Sequence, residues 1–484
     1  MEKKKGSKKY KILFKGSVTV YMLLSLLVLF SLFYALIEAA KVNSMRSRIE
    51  VATDLGLFSV LGEFNRELME QYDVFFIDSS YGSADASYQN TKEHLKEYIE
   101  YNLKPQKKQF FLGAVDFYNL SVKDIKIQNI SLAVDDNGDV FKRQAIAYMK
   151  NKIGLDFYED IKEKMATVTE YHLDENNVDE ELKQVEKEVK EVGIDEEQWN
   201  QATYENPATP IIKNRYKGIL KQVLEKPDTI SQTVINIDNY VSNRDCNVGT
   251  GMRDRTQTPE GILNESLFGE YIMEKCGNYR TLKQGSLLSY QIEYILFGKN
   301  SDQENLRLLA TRLVEIRETA NFLYLLTDTK KVETADGVAL VISSLLTVPE
   351  IQPLVKYTIL IAWSYGESVQ DVKDLFVGEK VPVLKTEKTW KLSFDKLILF
   401  DKKMDKTESR EGWNYEAYLR ILLLLTNERD KAFRCMDIME MDIRQTPGNG
   451  HFRMDSCFDS LKTELKIRSY FGYDFVITRD KGYK

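Results

Sequence analysis

The sequence predicts a helix-rich α+β protein in which an N-terminal transmembrane helix extends into a long stem helix. Three observations lead to this fold class. A 21-residue stretch from Ser17 to Ile37 carries no charge. Apolar residues recur with helical spacing between Leu263 and Phe376, and segments rich in β-branched and aromatic residues lie near both ends of the chain. We therefore expect a mixed or antiparallel sheet built from early and late segments, with a central helical bundle.

The uncharged stretch is long enough to cross a bilayer. At ~1.5 Å of rise per residue it reaches about 30 Å, the thickness of the hydrocarbon core. A cleaved secretory signal has a shorter apolar region, roughly 7–15 residues, followed by a cleavage site between small residues. The Ala-Ala pair after Glu38 offers such a site as an alternative. Because the apolar stretch exceeds that length, we predict a transmembrane helix at residues 17–38.

Charges on either side of this helix predict its orientation. Residues 1–16 hold seven lysines against one acid, whereas residues 41–56 hold three basic residues against two acids. Positively charged flanks stay in the cytoplasm, so we expect a cytoplasmic lead, a single pass through the cell membrane and an extracytoplasmic C-terminal body. The net charge of the whole chain is −7. The body is therefore acidic, which argues against nucleic acid as a partner.

A helical pattern continues beyond the predicted membrane segment. Apolar or small residues recur every three to four positions, and no proline occurs from Ser17 to Asp78. We predict one long helix whose stem, residues 39–70, packs on the body through one face. The alternative is an ordinary signal anchor followed by an independent domain. The residues on this face are Val42, Met45, Ile49, Ala52, Gly56 and Val60.

This N-terminal segment resembles the TadE/TadG-like proteins of bacterial Flp (Tad) pilus-assembly systems. Their shared plan is a basic lead, then a glycine and a small residue before the membrane helix, and an acid near its outer end. Basic residues and an A-x-D-x-A/G stretch follow. The resemblance covers about the first 60 residues. The matching positions are Gly16, Ser17, Glu38, Lys41, Arg46, Arg48, Ala52, Asp54 and Gly56.

The resemblance implies a non-enzymatic minor pseudopilin or assembly component of a Flp/Tad pilus or secretion system. Its expected partners are the lipid bilayer and other membrane proteins of that apparatus. Gly16 and Ser17 form the candidate processing site. Type IV pilins carry a glutamate at the fifth position after the cut, and Tyr21 stands there in this chain, which argues against such processing and against a major filament subunit. The residues expected to contact other stems are Glu38, Met45, Ile49 and Ala52.

The rest of the chain divides by composition into four segments. We expect strands at residues 72–78, 109–134 and 390–400, a turn at residues 135–139, and a terminal hairpin with its turn near Gly472. The bundle should contain about five helices. The four segments are residues 71–155 (α+β), 156–262 (charged helices and loops), 263–380 (helical bundle) and 388–484 (α+β, returning to the sheet).

The sequence carries no recognisable motif for catalysis, nucleotide binding or metal binding. The three histidines, His94, His172 and His451, lie neither in an HExxH motif nor beside a cysteine. GxSxG, P-loop and GxGxxG sequences are absent. The DDNGD stretch has EF-hand-like acids but lacks the closing glutamate. We therefore expect no cofactor and no metal.

Two other functions stay open as alternatives. A membrane-tethered ligand-binding or sensing domain at the cell envelope would need a concave pocket. An extracytoplasmic hydrolase would need two carboxylates roughly 5–10 Å apart, for which Glu293 and Glu367 on apolar helices are the candidates. A structural hydrogen bond or ion pair inside the bundle is the commoner explanation for buried acids of this kind. The loop RDCNVGTGMRDR could hold an anion with its backbone N–H groups. Its charged residues are Arg244, Asp245, Arg253, Asp254 and Arg255.

Four cysteines occur, and none forms a CxxC pair. In an oxidising compartment two disulfides can form, and proximity in the sequence favours Cys246 with Cys276 and Cys435 with Cys457. Free thiols that are buried or half-buried are the alternative.

Overall fold

The structure is a computed structural model that leaves several short segments undescribed. The basic lead and Arg253, Asp254 and Arg255 of the glycine-containing loop lie outside the described residues. So does most of the predicted strand before residue 118. The structure describes residues 15–84, 87–104, 116, 118–175, 177–191, 193–194, 196–251, 261–399 and 411–483.

Helices dominate the described chain, and the predicted helix-rich α+β class is confirmed. The α-helices, in chain order, are α1 (Lys15–Leu61), α2 (Arg66–Tyr72), α3 (Tyr88–Leu103), α4 (Asp135–Lys150), α5 (Leu155–Glu170), α6 (Asn177–Glu191), α7 (Glu196–Glu205), α8 (Thr209–Lys213), α9 (Ile219–Val223), α10 (Ile262–Lys275), α11 (Gln291–Phe297), α12 (Asp302–Thr327), α13 (Thr329–Leu345), α14 (Gln352–Val377), α15 (Phe394–Leu399), α16 (Tyr415–Leu425) and α17 (Glu428–Ile443).

A small sheet joins early and late parts of the chain, as the sequence predicts. The central strand β3 pairs with β2, and it is antiparallel to both β1 and β4. Ile77 of β1 faces Phe458, and the β3–β4 hairpin runs from the Ser460–Gly482 pair to the Arg468–Asp474 pair. The strands are β1 (Ile77–Asp78), β2 (Ser121–Leu132), β3 (Cys457–Arg468) and β4 (Asp474–Gly482).

The chain divides into two compact units, and the boundaries fall within β2 and β3. The stem unit contains α1, α3 and the β3–β4 hairpin, and it is assembled from Met1–Glu63, Ser87–Ile130 and Ser460–Lys484. The body unit contains the remaining helices and consists of Phe64–Ala86 and Ser131–Asp459.

In the stem unit, α1 is one continuous helix. Its apolar stretch is exposed, whereas further along α1 packs against α3 and β4. In the described part of the chain, α1 is the one helix long and apolar enough to cross a membrane. The stem is shorter than predicted, because α1 ends at Leu61 and α2 begins at Arg66 rather than one helix reaching residue 70.

In the body unit, the segment predicted as a bundle of about five helices does contain five helices, α10 to α14, but α10 packs mainly on α4 and α16 rather than on the other four. The two longest of these, α12 and α14, pack along each other, and α13 packs on α14. Two turns were also predicted correctly. Asp136, Asn137 and Gly138 have positive φ values at the start of α4, and Gly472 has a φ of +82° in the hairpin turn of the stem unit.

Two predicted strands are wrong or too long. Residues 72–78 contribute only the two-residue strand β1. Residues 390–400 form an irregular segment followed by α15. The backbone N–H groups of Lys391 and Leu392 donate to the Glu367 carboxylate, so they are not available for a strand ladder. The hydrogen bonds to the buried Glu367 carboxylate therefore outweigh the alternation of apolar and polar residues that predicted a strand.

Candidate functional site

The predicted contact face of the stem is occupied inside the stem unit. Met45, Ile49 and Ala52 are at most 2% exposed, because α3 packs over this side of α1. Gly56 permits this close packing: a Cβ atom there would lie 2.6 Å from Cγ1 of Ile99. The prediction that these three residues contact other stems is therefore corrected, since they form part of the core of their own unit.

The C-terminal hairpin makes a series of polar contacts with α1. The Tyr473 hydroxyl donates a hydrogen bond to Glu38, and the Lys41 ammonium lies 3.5 Å from the same carboxylate. Further along α1, Arg479 lies 3.4 Å from Asp54, and Lys481 lies 3.6 Å from it. Glu38, predicted to contact other stems, is thus engaged by the turn of the C-terminal hairpin and by Lys41 of its own helix.

The outward side of the stem presents an apolar stripe to solvent. Val51, Leu55 and Phe58 are 56%, 47% and 58% exposed, and their spacing of four and three places them on one face of α1. The Lys481 ammonium lies 4.8 Å from the centroid of the Phe58 ring. Exposed aliphatic and aromatic residues clustered in this way are typical of an interaction surface. We call Val51, Leu55 and Phe58 the stem stripe.

The candidate processing residues lie in the first turn of α1, which begins at Lys15. Nothing in the described structure tests cleavage between Gly16 and Ser17, so processing at this bond stays a prediction.

In the body unit, three acids of α17 are buried: Asp437, Glu440 and Asp442. Arg244 donates to both oxygens of Glu440, at 2.7 and 2.5 Å, and also to Asp455. Burial raises the pKa of Glu440 even though Arg244 opposes that change. Burial also raises the pKa of Asp437 to about 6, against hydrogen bonds from Ser242 and Tyr294.

The glycine-containing loop does bind anionic groups, but these belong to the protein itself. The N–H groups of Gly249 and Gly251 donate to the Asp135 carboxylate at 2.9 and 3.0 Å. The N–H group of Asn247 donates to Asp455 at 3.0 Å. The sequence offered these donors for an external anion as an alternative to a solvated loop; in the fold they hold the loop against α4 and the segment before β3.

Glu293 and Glu367 have separate sets of partners. Glu293 accepts hydrogen bonds from the Tyr415 hydroxyl and the Tyr279 N–H group, and burial raises its pKa to about 7. Glu367 lies 2.6 Å from the Lys385 ammonium and also accepts from backbone N–H groups. Within the ranges that the structure describes, Glu293 and Glu367 therefore do not share a hydrogen-bond donor or a common site. Their separate partners do not support a pair of catalytic carboxylates.

One fully buried charge cluster contains Glu367, for which the sequence favours a structural hydrogen bond or ion pair; the other three members were not foreseen. Asp371 on α14 binds Arg317 of α12 at 3.0 Å and Lys385 at 2.6 Å, and Lys385 also binds Glu367. All four side chains are fully buried. Burial acts to raise the pKa of Asp371, but Lys385 and Arg317 hold it below its usual value. The available signal was a pair of acids, Glu367 and Asp371, one turn apart on the buried face of α14.

The body unit also contains a cavity of about 440 Å³. Its floor is aliphatic, and Tyr365 and Gln222 form a hydrogen bond of 3.0 Å at its wall. Lysine side chains contribute positive charge. The lining includes Ile211, Leu224, Val369, Leu392 and Leu397 with Lys221, Lys373 and Lys396, and it also includes the acid Glu225.

The cysteines do not form the two suggested disulfides. All four are free thiols. Cys435 instead lies beside Cys276, and burial raises its pKa well above the usual value. Proximity in the sequence was misleading because the fold brings α17 onto the C-terminal end of α10. Among the described residues, no group of three or more His, Cys, Asp and Glu side chains could hold a metal ion.

These features define a class of protein: a helix-rich α+β body together with one N-terminal helix long and apolar enough to span a membrane. Residues 197–469, more than half of the chain, match the family of unknown function DUF5702. The chain belongs to this family. The matched region begins in α7 and ends after β3, so it does not include α1. No curated protein and no solved structure matches the chain.

Proposed function

We propose that this protein is a membrane-anchored, non-enzymatic component of an extracytoplasmic assembly, acting as a TadE/TadG-like minor pseudopilin or assembly component of a Flp/Tad pilus or secretion system. The observation that carries the proposal is the continuity of α1. Its exposed apolar stretch passes without a break into a stem that packs on α3 and β4. The lysine-rich lead favours a cytoplasmic N-terminus.

A continuous helix suits an assembly component better than a tethered receptor. A tether works with a flexible linker, whose length sets the reach of the attached domain. Here the membrane segment and the stem are one helix, and Glu38 and Asp54 fix the rotation of that helix against the C-terminal hairpin. The orientation of the stem stripe is therefore set by the membrane segment. A defined orientation is what lateral packing with neighbouring stems requires.

The stem stripe takes the place of the face first predicted to contact partners. Met45, Ile49 and Ala52 are in the core of the stem unit, so a substitution such as Ile49→Asp would bury an unpaired charge and damage the unit itself. Val51, Leu55 and Phe58 can be changed without opening that core, because they are exposed.

The test is site-specific photocross-linking in the native membrane. A photoreactive residue at Val51, Leu55 or Phe58 is expected to yield adducts with membrane proteins of a pilus or secretion apparatus, identified by mass spectrometry. The matched control is Arg46, which is exposed on the same helix but points away from the stripe. Equal labelling from Arg46, or no adduct from any stripe position in membrane-integrated protein, would contradict the proposal.

The cavity in the body unit favours a second candidate function, the binding of an amphipathic anion. Its volume is within the range of small-molecule sites, and an aliphatic floor with nearby lysines suits an alkyl chain that ends in a negative charge. The probe is dodecanoate, compared with dodecanol as its uncharged match. Binding of dodecanoate should be lost in Val369→Trp, which fills the cavity, and kept in Lys330→Glu, which alters an exposed lysine outside it. Equal binding by both variants would exclude the cavity.

A further inference from the structure

The turn of the C-terminal hairpin presents two aromatic side chains to solvent. Residues 469–473 connect β3 to β4, and the Ser469 N–H group closes the turn on the Tyr473 carbonyl at 3.0 Å. Tyr470 is 78% exposed and Phe471 is 49% exposed. We call residues 469–473 the hairpin tip. Exposed aromatic residues at the end of a hairpin contribute nothing to its own core, so they call for a different explanation.

The hairpin tip lies where the apolar stretch of α1 ends. Tyr473 donates to Glu38, which is the first charged residue after Ser17, and the Lys41 ammonium lies 3.4 Å from the centroid of the Phe471 ring. The tip is held there by a further contact, since the Tyr470 N–H group donates to the Tyr118 carbonyl at 3.2 Å. The fold therefore fixes these aromatic rings at one level along α1.

That level coincides with the edge of a bilayer. If residues 17–37 occupy the hydrocarbon core, Glu38 and Lys41 lie among the lipid headgroups, and so do the rings beside them. Tyrosine and other amphipathic aromatic residues concentrate at this interface, and lysines near helix ends extend to it. Tyr34, which is exposed on α1 near Tyr473, adds to the same belt.

We propose that the hairpin tip inserts into the interfacial layer of the bilayer that α1 spans, so that lipid is the binding partner of Tyr470 and Phe471. The inference rests on the membrane anchoring in the proposed function, but not on any pilus role. The tip gives the stem unit a second contact with the membrane beside α1. Two contacts prevent α1 from rotating about its axis, and the stem stripe then faces along the membrane in a constant direction.

Tryptophan fluorescence of the full chain in vesicles tests this placement. The native tryptophans all lie in the body unit, so the unmodified protein supplies the background. Phe471→Trp in phosphatidylcholine vesicles is expected to give blue-shifted emission that is quenched by lipids brominated on the upper acyl chain. The matched control is Val476→Trp on β4, which is 56% exposed and away from the tip; its emission should be neither shifted nor quenched.

A third variant separates this inference from the anchoring on which it rests. Leu27→Trp lies midway along the apolar stretch of α1 and must be quenched by lipids brominated near the end of the acyl chain if α1 spans the bilayer. Quenching at Leu27 without quenching at Phe471 would overturn the hairpin contact and leave the anchor standing. Absence of quenching at Leu27 would overturn the anchor itself. Equal quenching at Phe471 and Val476 would also contradict the proposal, because it would indicate a hairpin lying flat on the membrane.

Discussion

Two regions of this protein use ion pairs in opposite ways. In the body unit, Asp371 joins Arg317 and Lys385 with every charged group fully buried. In the stem unit, Asp54 faces Arg479 and Lys481 at 3.4 and 3.6 Å with each side chain about one-third exposed. The residue types are similar, but the solvent around them differs.

The extent of burial determines what each set of ion pairs contributes to the fold. A buried pair costs several kcal/mol per ion in lost hydration, and its partners must all be present to compensate. It therefore constrains the packing of α12 and α14 without adding much net stability. Surface pairs are screened by water and are worth about 0–1 kcal/mol each. In the stem they set the rotation of α1 against β4, and the apolar contact of α1 with α3 supplies the stability.

The largest effect is expected from Asp371→Ala. This change leaves Arg317 and Lys385 buried without one of their counter-charges, and breaking a buried pair in this way costs about 3–5 kcal/mol. The free energy of unfolding of the body unit, followed by tryptophan fluorescence in denaturant, should fall by that amount. Glu387→Ala is the control, because its partner Lys330 is 80% exposed; a comparable loss in the control would show that burial is not the cause.

A smaller effect concerns pH. Burial raises the pKa of Glu293 and of Glu318 to about 7, and that of Asp437 to about 6. The folded body unit therefore binds more protons than the unfolded chain between about pH 4.5 and 7, and its stability decreases as pH rises through this range. One pKa unit equals about 1.4 kcal/mol, so the rise from 4.5 to about 7 at Glu293 is worth roughly 3 kcal/mol.

Unfolding midpoints at pH 5.5 and pH 8 measure this dependence. The wild-type body unit should unfold at a higher denaturant concentration at pH 5.5. In Glu293→Gln the side chain cannot ionise, so the difference between the two midpoints should shrink. A wild-type protein that is more stable at pH 8 would contradict the assignment, and an unchanged difference in the variant would place the effect on the other two acids.

The smallest effect is expected from Asp54→Asn in the stem unit. Removing one side of a partly exposed ion pair should change the free energy of unfolding by less than about 1 kcal/mol, and the change should vanish in high salt. Hydrogen exchange of the α1 amides measures it, since the tryptophans do not report on this unit. If Asp54→Asn lowered the free energy of unfolding as much as Asp371→Ala does, the ion pairs of the stem unit and of the body unit would not differ in this way.

Much of the fold was predictable because local patterns determine it. The continuous α1, the helices between residues 263 and 380 and the terminal hairpin follow from spacing, proline placement and turn residues. The strand predicted at residues 390–400 was wrong because Glu367, distant in sequence, captures the N–H groups of Lys391 and Leu392. The periodicity of a segment indicates its local preference for helix or strand. It carries no information about a hydrogen-bond acceptor that another helix places beside the segment.

The candidate site was less predictable than the fold. The spacing of Met45, Ile49 and Ala52 identified a buried face correctly, but spacing cannot tell whether α3 of the same chain or another protein covers it. Arg244 meets Glu440 across nearly two hundred residues. A long-range pair of this kind has no local signature, except that acids placed between the methionines and isoleucines of α17 must find a donor.

The discontinuous make-up of the stem unit has a consequence for biogenesis. Its first segment contains α1, and its last is Ser460–Lys484. Synthesis runs from the N-terminus, so α1 exists before β4 does. The side of α1 that β4 covers in the folded unit therefore stays exposed until β4 has been synthesised. If α1 anchors the chain in a membrane as proposed, a chain that lacks β4 would carry an incompletely folded stem unit beside that membrane.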